Sequence, residues 1–517
     1  MSLSIQSMMT ADYGVIGDIL RLRAAEDPDR LAIVMETGEA VTYAQFDALV
    51  DRVAAALQRD GIQPAEAVAV CALSSIPYAA LFLGALRAGV AVAPLAPSST
   101  PEAIAGMVAD CGARLFFMDA DVAEAQKAAP IAVRYIALDG ADFGEAFDAW
   151  LAPEGAKPAP VAIDADAPFN IIYSSGTTGA PKGIVQSHGM RWKHVFRGDA
   201  VGYGPEAVTL LSTPLYSNTT LVCFFPTLAG GGTVVLMKKF DAGRYLQLAQ
   251  QHRMTHTMLV PVQYRRLMDR PDFGDFDLSS THMKFCTSAP FAAELKAQVL
   301  ARWPGGLVEY FGMTEGGGTC ILMAHEHPDK LHTVGRPAPG HDIRLIDEDG
   351  VQVGAGVVGE IVGRSAGMMN GYHGQPGKTA EATWVSPEGW RFIRTGDVGR
   401  FDEDGFLTLM DRKKDMIISG GFNIYPSDIE AEIVKHPDVV EAAVVGVPSD
   451  AWGESPVAFV ALKPDARIDA DGLRSWVNAR LGKTQRLVDL RVVQSLPRSH
   501  IGKVLKRELR DGWTASA

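Results

Sequence analysis

The sequence predicts an α/β protein: a large N-terminal domain of β-sheets flanked by helices, followed by a small α+β domain at the C-terminus. Three observations carry this expectation. Helix and strand patterns alternate from about residue 40, as in parallel βαβ units. Hairpin signals take over between residues 340 and 410. Helices and strands then resume after Arg412. A chain of 517 residues holds about two to four typical domains, so this division has room.

The first element is a helix. Thr42 and Gln45 have capping-box spacing, and Phe46, Leu49, Val50, Val53 and Leu57 fall on one face, with Gly61 placed to end it. Val68 to Leu73 reads as a buried strand. The apolar stretch from Ala79 to Ala96 is broken by Arg87, two glycines and Pro94, so it predicts a buried helix and a strand at Val90 to Ala93 rather than a bilayer span. The Pro/Ala-rich run from Ala152 to Pro168 reads as a surface connection. Further strands are expected at Gly232 to Met237, Thr257 to Val260 and Lys284 to Thr287, with Gly230 to Gly232 as a tight turn into the first of these. Asp349-Gly350 and Asp404-Gly405 are hairpin turns. Ser427 and Glu430, just after Pro426, have capping-box spacing for a helix containing Ile429 and Ile433.

Composition narrows the function classes. Apolar residues are 47% and charged residues 21%, the balance of a globular protein with a sizeable core. The net charge of −13 opposes binding to a phosphate polymer, so no nucleic-acid partner is expected. Five scattered cysteines without a CxxC pair argue against a disulfide framework or a structural zinc site. No secretory signal and no integral membrane segment are read, so a cytoplasmic protein is expected. Oligomeric state is not read from the sequence, a dimer being one of the options left open. His252 and His256 lack the glutamate of a zincin helix, and His325-Glu326-His327 has the wrong spacing for one.

The segment FNIIYSSGTTGAPKGIVQSH, from Phe169 to His188, carries the most chemistry. Two strands, Phe169 to Tyr173 and Gly183 to Gln186, bracket Ser174, Ser175, Gly176, Thr177, Thr178, Gly179 and Lys182. Glycines let backbone N–H groups converge on an anion, hydroxyls add donors, and Lys182 adds a full charge. The loop is not a Walker A, because no Ser/Thr follows the lysine and a strand replaces the helix.

This string resembles the signature of the adenylate-forming acyl-CoA synthetase superfamily, and further stretches resembling its motifs follow in order. Phe311-Gly312-Met313-Thr314-Glu315 resembles the segment whose aromatic packs on adenine, whose threonine touches the α-phosphate and whose glutamate helps hold Mg²⁺. Arg394-Thr395-Gly396-Asp397 resembles the motif whose aspartate accepts from ribose hydroxyls. Asp411-Arg412-Lys413-Lys414-Asp415 resembles the hinge, with Arg412 on ribose and Lys414 as pivot. Gly420-Gly421-Phe422-Asn423-Ile424-Tyr425-Pro426 resembles the strip lining the pantetheine tunnel, and Pro497 to Lys503 resembles the catalytic-lysine motif. The resemblance implies an adenylation domain at 1–410, a hinge at 411–414 and a mobile C-terminal domain at 415–517.

The implied reaction uses a small-molecule carboxylic acid, ATP and CoA, with Mg²⁺. The acid attacks the α-phosphorus to give acyl-AMP and pyrophosphate, and a thiol then expels AMP. Lys503, Thr314 and Glu315 are the expected catalytic residues; Lys503 would bridge carboxylate and phosphate. By the resemblance Tyr216, Ser217, Gly316 and Gly317 belong to the acyl pocket, the glycines leaving volume. Ser217 stands where many members have histidine, and Phe311 where tyrosine is commoner. No aspartate near Tyr216 awaits an α-ammonium, so an apolar monocarboxylate is expected, a fatty acid ahead of an aromatic one. Arg191 and Lys193 are expected to face water rather than balance a second carboxylate. Acceptors other than CoA, such as a carrier-protein thiol, stay open, as does a catalytically idle binder.

Overall fold

The computed structural model describes residues 4–140, 142–174, 182–196, 201–412, 415–419, 422–449, 452–482, 485–498 and 504–514. The chain divides into two compact units, Met1–His332 with Pro337–Asp342 and Gly363–Ile393, and Thr333–Arg336 with Ile343–Val362 and Arg394–Ala517.

The first unit holds two sheets. In one, strands Gly306–Phe311, Met283–Cys286, His256–Leu259, Val208–Leu211, Thr233–Leu236 and Leu31–Met35 run parallel in that spatial order. Antiparallel strands Cys320–Met323 and Ala40–Thr42 border this run. In the other, Pro168–Ser174, Ala91–Leu95, Ala67–Cys71, Leu115–Met118 and Arg134–Ala137 are parallel neighbours. Lys182–Ser187 pairs antiparallel with Pro168–Ser174, and Gly371–Tyr372 pairs antiparallel with Lys182–Ser187. The expected strands are thus present, with ends shifted by one or two residues.

The core between helices and sheets follows the apolar pattern. Helix Tyr43–Arg59 begins with the expected capping box: Gln45 N–H donates to Thr42 Oγ1 at 3.3 Å, and Thr42 N–H to Gln45 Oε1 at 2.9 Å. Its Phe46, Val50, Val53 and Leu57 are fully buried. Helix Ile76–Arg87 is buried on every side. Its terminal Arg87 stays inside because Asp47 and Asp51 each pair with it at 2.6 Å and the Gly17 carbonyl accepts at 3.0 Å. All five cysteines are buried and unbridged, as their spacing suggests. No helix among the described residues is long and apolar enough to cross a membrane.

The second unit opens with hairpins. Asp342–Ile346 turns at Asp349-Gly350 into Gln352–Val353, and Arg391–Phe401 turns at Asp404-Gly405 into Leu407–Arg412. A further sheet orders Phe422–Ile424, Ile417–Ser419, Gly453–Leu462 and Val439–Ser449, with Asp489–Val492 parallel to Gly453–Leu462. Helices Pro426–Ile433 and Ala470–Asn478 bury Ile429, Ile433, Leu473 and Val477 against it. One expectation fails here. Tyr425, not Ser427, is the N-cap, because Pro426 takes the first helical turn and starts the helix earlier. The Ser427 hydroxyl donates instead to the Met410 carbonyl, and Glu430 accepts from Val444 N–H at 2.7 Å.

Candidate active site

In the first unit, the pairing of Pro168–Ser174 with Lys182–Ser187 sets Ser174 opposite Lys182. The hairpin thus delivers both ends of the glycine-rich loop to one place at the sheet end. Ser175, Gly176, Thr177, Thr178 and Gly179 lie outside the described residues, and of Ser174 only the backbone is described.

Phe311 ends strand Gly306–Phe311, and Thr314 and Glu315 follow in a half-buried turn. Two side chains hold that turn. Gln186 Nε2 donates to the Thr314 carbonyl at 2.6 Å, and Tyr372 Oη donates to Glu315 Oε1 at 2.9 Å. The Glu315 carbonyl also accepts from Met369 N–H at 2.8 Å. Lys182 Nζ sits 5.0 Å from the centroid of the same Tyr372 ring. Tyr372 therefore joins the lysine of one motif to the glutamate of another. Burial, and then the Glu315 charge, hold its phenol well above the usual tyrosine range, so it stays a donor.

The pairing that brings Tyr372 there spans almost two hundred residues of chain, Tyr372 standing opposite Ile184. Sequence reasoning passed over it. The one local signal was Gly371-Tyr372 among short alternating runs, which does not disclose its partner strand.

The expectation of open volume at Gly316 and Gly317 is corrected by the backbone. Their φ values are +76° and +79°. A Cβ at Gly316 would lie 1.9 Å from the Gly367 carbonyl oxygen, and one at Gly317 2.9 Å from the Gly363 oxygen. These glycines admit a neighbouring strand of backbone, and the space beside them is filled.

Among the segments assigned to acyl recognition, Ser217 has a concrete local task. Its side chain caps helix Asn218–Gly230, accepting from Thr219 N–H at 3.3 Å. A histidine cannot do this as compactly. Tyr216 beside it is largely buried, which raises its phenol to about 12. Thr219 Oγ1 lies 2.6 Å from Ser288 Oγ. Ser288 adopts φ +82°, a region a non-glycine residue enters only under constraint, and it follows strand Met283–Cys286. That strained serine was also invisible in the sequence.

Arg191 corrects a second expectation. It does not face water but is 1% exposed on helix His188–Phe196. Lys193 is half-buried, donating to the Asp12 carbonyl at 3.0 Å and lining a cavity of about 530 Å³ with Tyr13, Asp166 and Arg391.

The second unit holds its own part of the expected site. Asp397 and Arg412 are direct partners across the antiparallel pair of Arg391–Phe401 with Leu407–Arg412. The strand segment before Asp397 is fixed within the unit: Arg394 binds Glu360 through Nε at 3.0 Å and Nη2 at 2.5 Å. Thr395 Oγ1 donates to the Ile361 carbonyl at 2.8 Å and accepts from Asp397 N–H at 3.0 Å. Only the backbone of Arg412 is described, and Lys414, Gly420, Gly421 and Lys503 lie outside the described residues.

The donor set suits Mg²⁺. No group of three or more His, Cys, Asp or Glu side chains converges among the described residues. Mg²⁺ commonly takes one or two carboxylates and leaves its other positions to phosphates and water. Glu315, oriented through one oxygen by Tyr372, is such a carboxylate. His256, one of the histidines weighed in the sequence, is satisfied by Thr255 Oγ1 at 2.8 Å and the Val201 carbonyl at 2.9 Å.

Comparison with known proteins agrees with this layout. Residues 20–373 match the model of the AMP-binding enzyme family, and residues 428–503 that of the AMP-binding enzyme C-terminal domain. A feruloyl-CoA synthase of Amycolatopsis sp is 34% identical over 494 residues, covering 94% of this chain and 97% of its own. The fatty acid–[acyl-carrier-protein] ligase ScoC of Streptomyces coeruleorubidus is 32% identical over 508 residues, covering 96% of each. Among solved structures, ATP-bound MatB from Rhodopseudomonas palustris superposes with a TM-score of 0.86 at 30% identity, covering 96% of this chain and 99% of that one. The chain belongs to the AMP-binding enzyme family, the adenylate-forming enzymes.

Proposed function

We propose that the protein is an AMP-forming acid–thiol ligase that activates a carboxylic acid with an apolar body and transfers it to CoA. The single observation that carries this reading is the Lys182–Tyr372–Glu315 arrangement, which gathers a cation and an oriented carboxylate beside the glycine-rich loop. The sequence favours a fatty acid over an aromatic one, and the relatives include enzymes named for each. The feruloyl-CoA synthase and the carrier-protein ligase support the shared chemistry, acyl activation followed by thiol transfer.

In the first half-reaction a carboxylate oxygen bonds to the α-phosphorus and the bond from that phosphorus to the bridging oxygen breaks, releasing pyrophosphate. Negative charge accumulates on the two non-bridging oxygens of the α-phosphate and on the departing pyrophosphate, so positioned donors and cations lower the barrier. We assign the loop from Ser174 to Gly179 and Lys182 to the departing phosphates, and Thr314 to the α-phosphate. Phe311 is assigned to adenine, and Asp397 and Arg412 to ribose. Mg²⁺, held by Glu315 when bound, neutralises phosphate charge. Lys503 bridges the attacking carboxylate and the phosphate. In the second half-reaction a thiol sulfur attacks the acyl carbon, its proton goes to solvent, and AMP leaves. We assign Gly420 and Gly421 to the pantetheine arm, and 411–414, with Lys414 as pivot, to the hinge between domains 1–410 and 415–517.

Exchange of labelled pyrophosphate into ATP, dependent on a panel of fatty and aromatic acids, tests the first half. Incubation with CoA against a holo-carrier protein tests the second. Thioester formed on the carrier alone would replace CoA as acceptor, and no exchange with any acid would overturn the ligase reading.

A further inference from the structure

Arg191 is a charge buried to 1% exposure that the chemistry above leaves unused. Its Nη2 donates to Asn218 Oδ1 at 2.6 Å and to Gln186 Oε1, two neutral amides. Its Nε and Nη1 have no hydrogen-bond partner, and among the described residues no carboxylate pairs with it. The Phe169 ring, 5.7 Å away, offers only a weak attraction. Burial draws the guanidinium down to about 9, which still leaves it protonated near neutral pH.

Unmet polar atoms recur in the adjoining residues. Asn170, fully buried and opposite Gln186 in the strand pair, has both amide atoms without a partner. His188, three residues before Arg191, leaves Nε2 unpartnered. Native interiors contain few such atoms, and a group of them marks a place where polar matter is received. Water would satisfy the N–H groups but leave the positive charge uncompensated. An anion satisfies both.

The position selects which anion. Arg191 is one hydrogen bond from Asn218, which directly follows Tyr216 and Ser217. Through Gln186 it is two hydrogen bonds from the Thr314 carbonyl. The charge thus stands behind the segment assigned to the acyl group. Recognition of a purely apolar acyl chain has no use for it.

We propose that Arg191 is a specificity-determining residue that binds a second carboxylate on the acid substrate, so that the acid activated is a dicarboxylic acid with an apolar body. This rests on the ligase reading above and names the substrate class of that same site.

The test is acid-dependent pyrophosphate exchange by the full chain on matched pairs: octanoate against octanedioate, and 3-phenylpropanoate against its para-carboxy derivative. The wild type is expected to favour a diacid at least tenfold in kcat/KM. Arg191→Met is expected to erase that preference through KM, and Arg191→Lys to restore part of it. A wild type that favours the monoacids overturns the proposal without any variant, so a poorly folding Arg191→Met does not shelter it. An equal loss on both acids of a pair overturns it too, assigning Arg191 to the reacting carboxylate or to packing. Absence of exchange with every acid overturns the ligase reading, and with it this inference.

Discussion

The Tyr372 hydroxyl donates to Glu315 Oε1 at 2.9 Å, while the same ring lies 5.0 Å from Lys182 Nζ. A carboxylate meant for a cation must be oriented before the cation arrives, and this bond fixes one of its two oxygens. Removing only the hydroxyl tests that arrangement. Tyr372→Phe keeps the ring beneath Lys182 and loses a hydrogen bond to a charged group, a bond of about 1.5–3 kcal/mol. We expect acid-dependent pyrophosphate exchange to fall roughly tenfold and its Mg²⁺ requirement to rise. A Mg²⁺ titration of wild type and variant reads both, and identical curves would remove Tyr372 from the site.

Lys503→Ala separates the two half-reactions. If Lys503 neutralises the attacking carboxylate and the α-phosphate, its loss should slow adenylation by roughly 10²–10³. Thiolysis of preformed acyl-AMP should persist. Single-turnover assays of each half, run side by side, decide the assignment, and an equal fall in both rejects it.

Gly316→Ala should destabilise the fold. The residue sits at φ +76°, and a Cβ there would meet the Gly367 carbonyl oxygen at 1.9 Å. Strain and displacement of rigid backbone together should cost roughly 2 kcal/mol or more. The urea midpoint reports it, and an unchanged midpoint would mean that the Gly363–Gly367 backbone yields freely.

His188 predicts part of the acid limb of stability. Burial, with no charged partner, lowers its imidazole to about 4 from an ordinary value near 6.5. Between those values the unfolded chain binds the extra proton and the folded chain does not. Stability from this group is therefore complete above pH 6.5 and is lost as pH falls toward 4. The loss at pH 5 is about 2 kcal/mol. His188→Gln should flatten the slope between pH 7 and 5 relative to wild type in urea titrations, and parallel slopes would show that His188 is reached by water.

The sequence by itself determined whatever is written in neighbouring residues. The Thr42–Gln45 cap, the apolar face of Phe46, Val50, Val53 and Leu57, and the Asp349-Gly350 and Asp404-Gly405 turns depend on contacts a few residues apart. The glycine-rich loop and the Thr314-Glu315 motif were legible for the same reason, since each is a continuous string. Only the tertiary structure decided what crosses between strings. Tyr372 reaches Glu315 because its short strand pairs with Lys182–Ser187, a choice that local pattern does not encode. Asp397 meets Arg412 through strand register, and Ser427 was taken from its cap by Pro426 and the Met410 carbonyl. Arg191 reads as an ordinary surface cation in one dimension. It is buried because its helix packs against strands whose other residues come from elsewhere in the chain, and burial is a property of the whole fold.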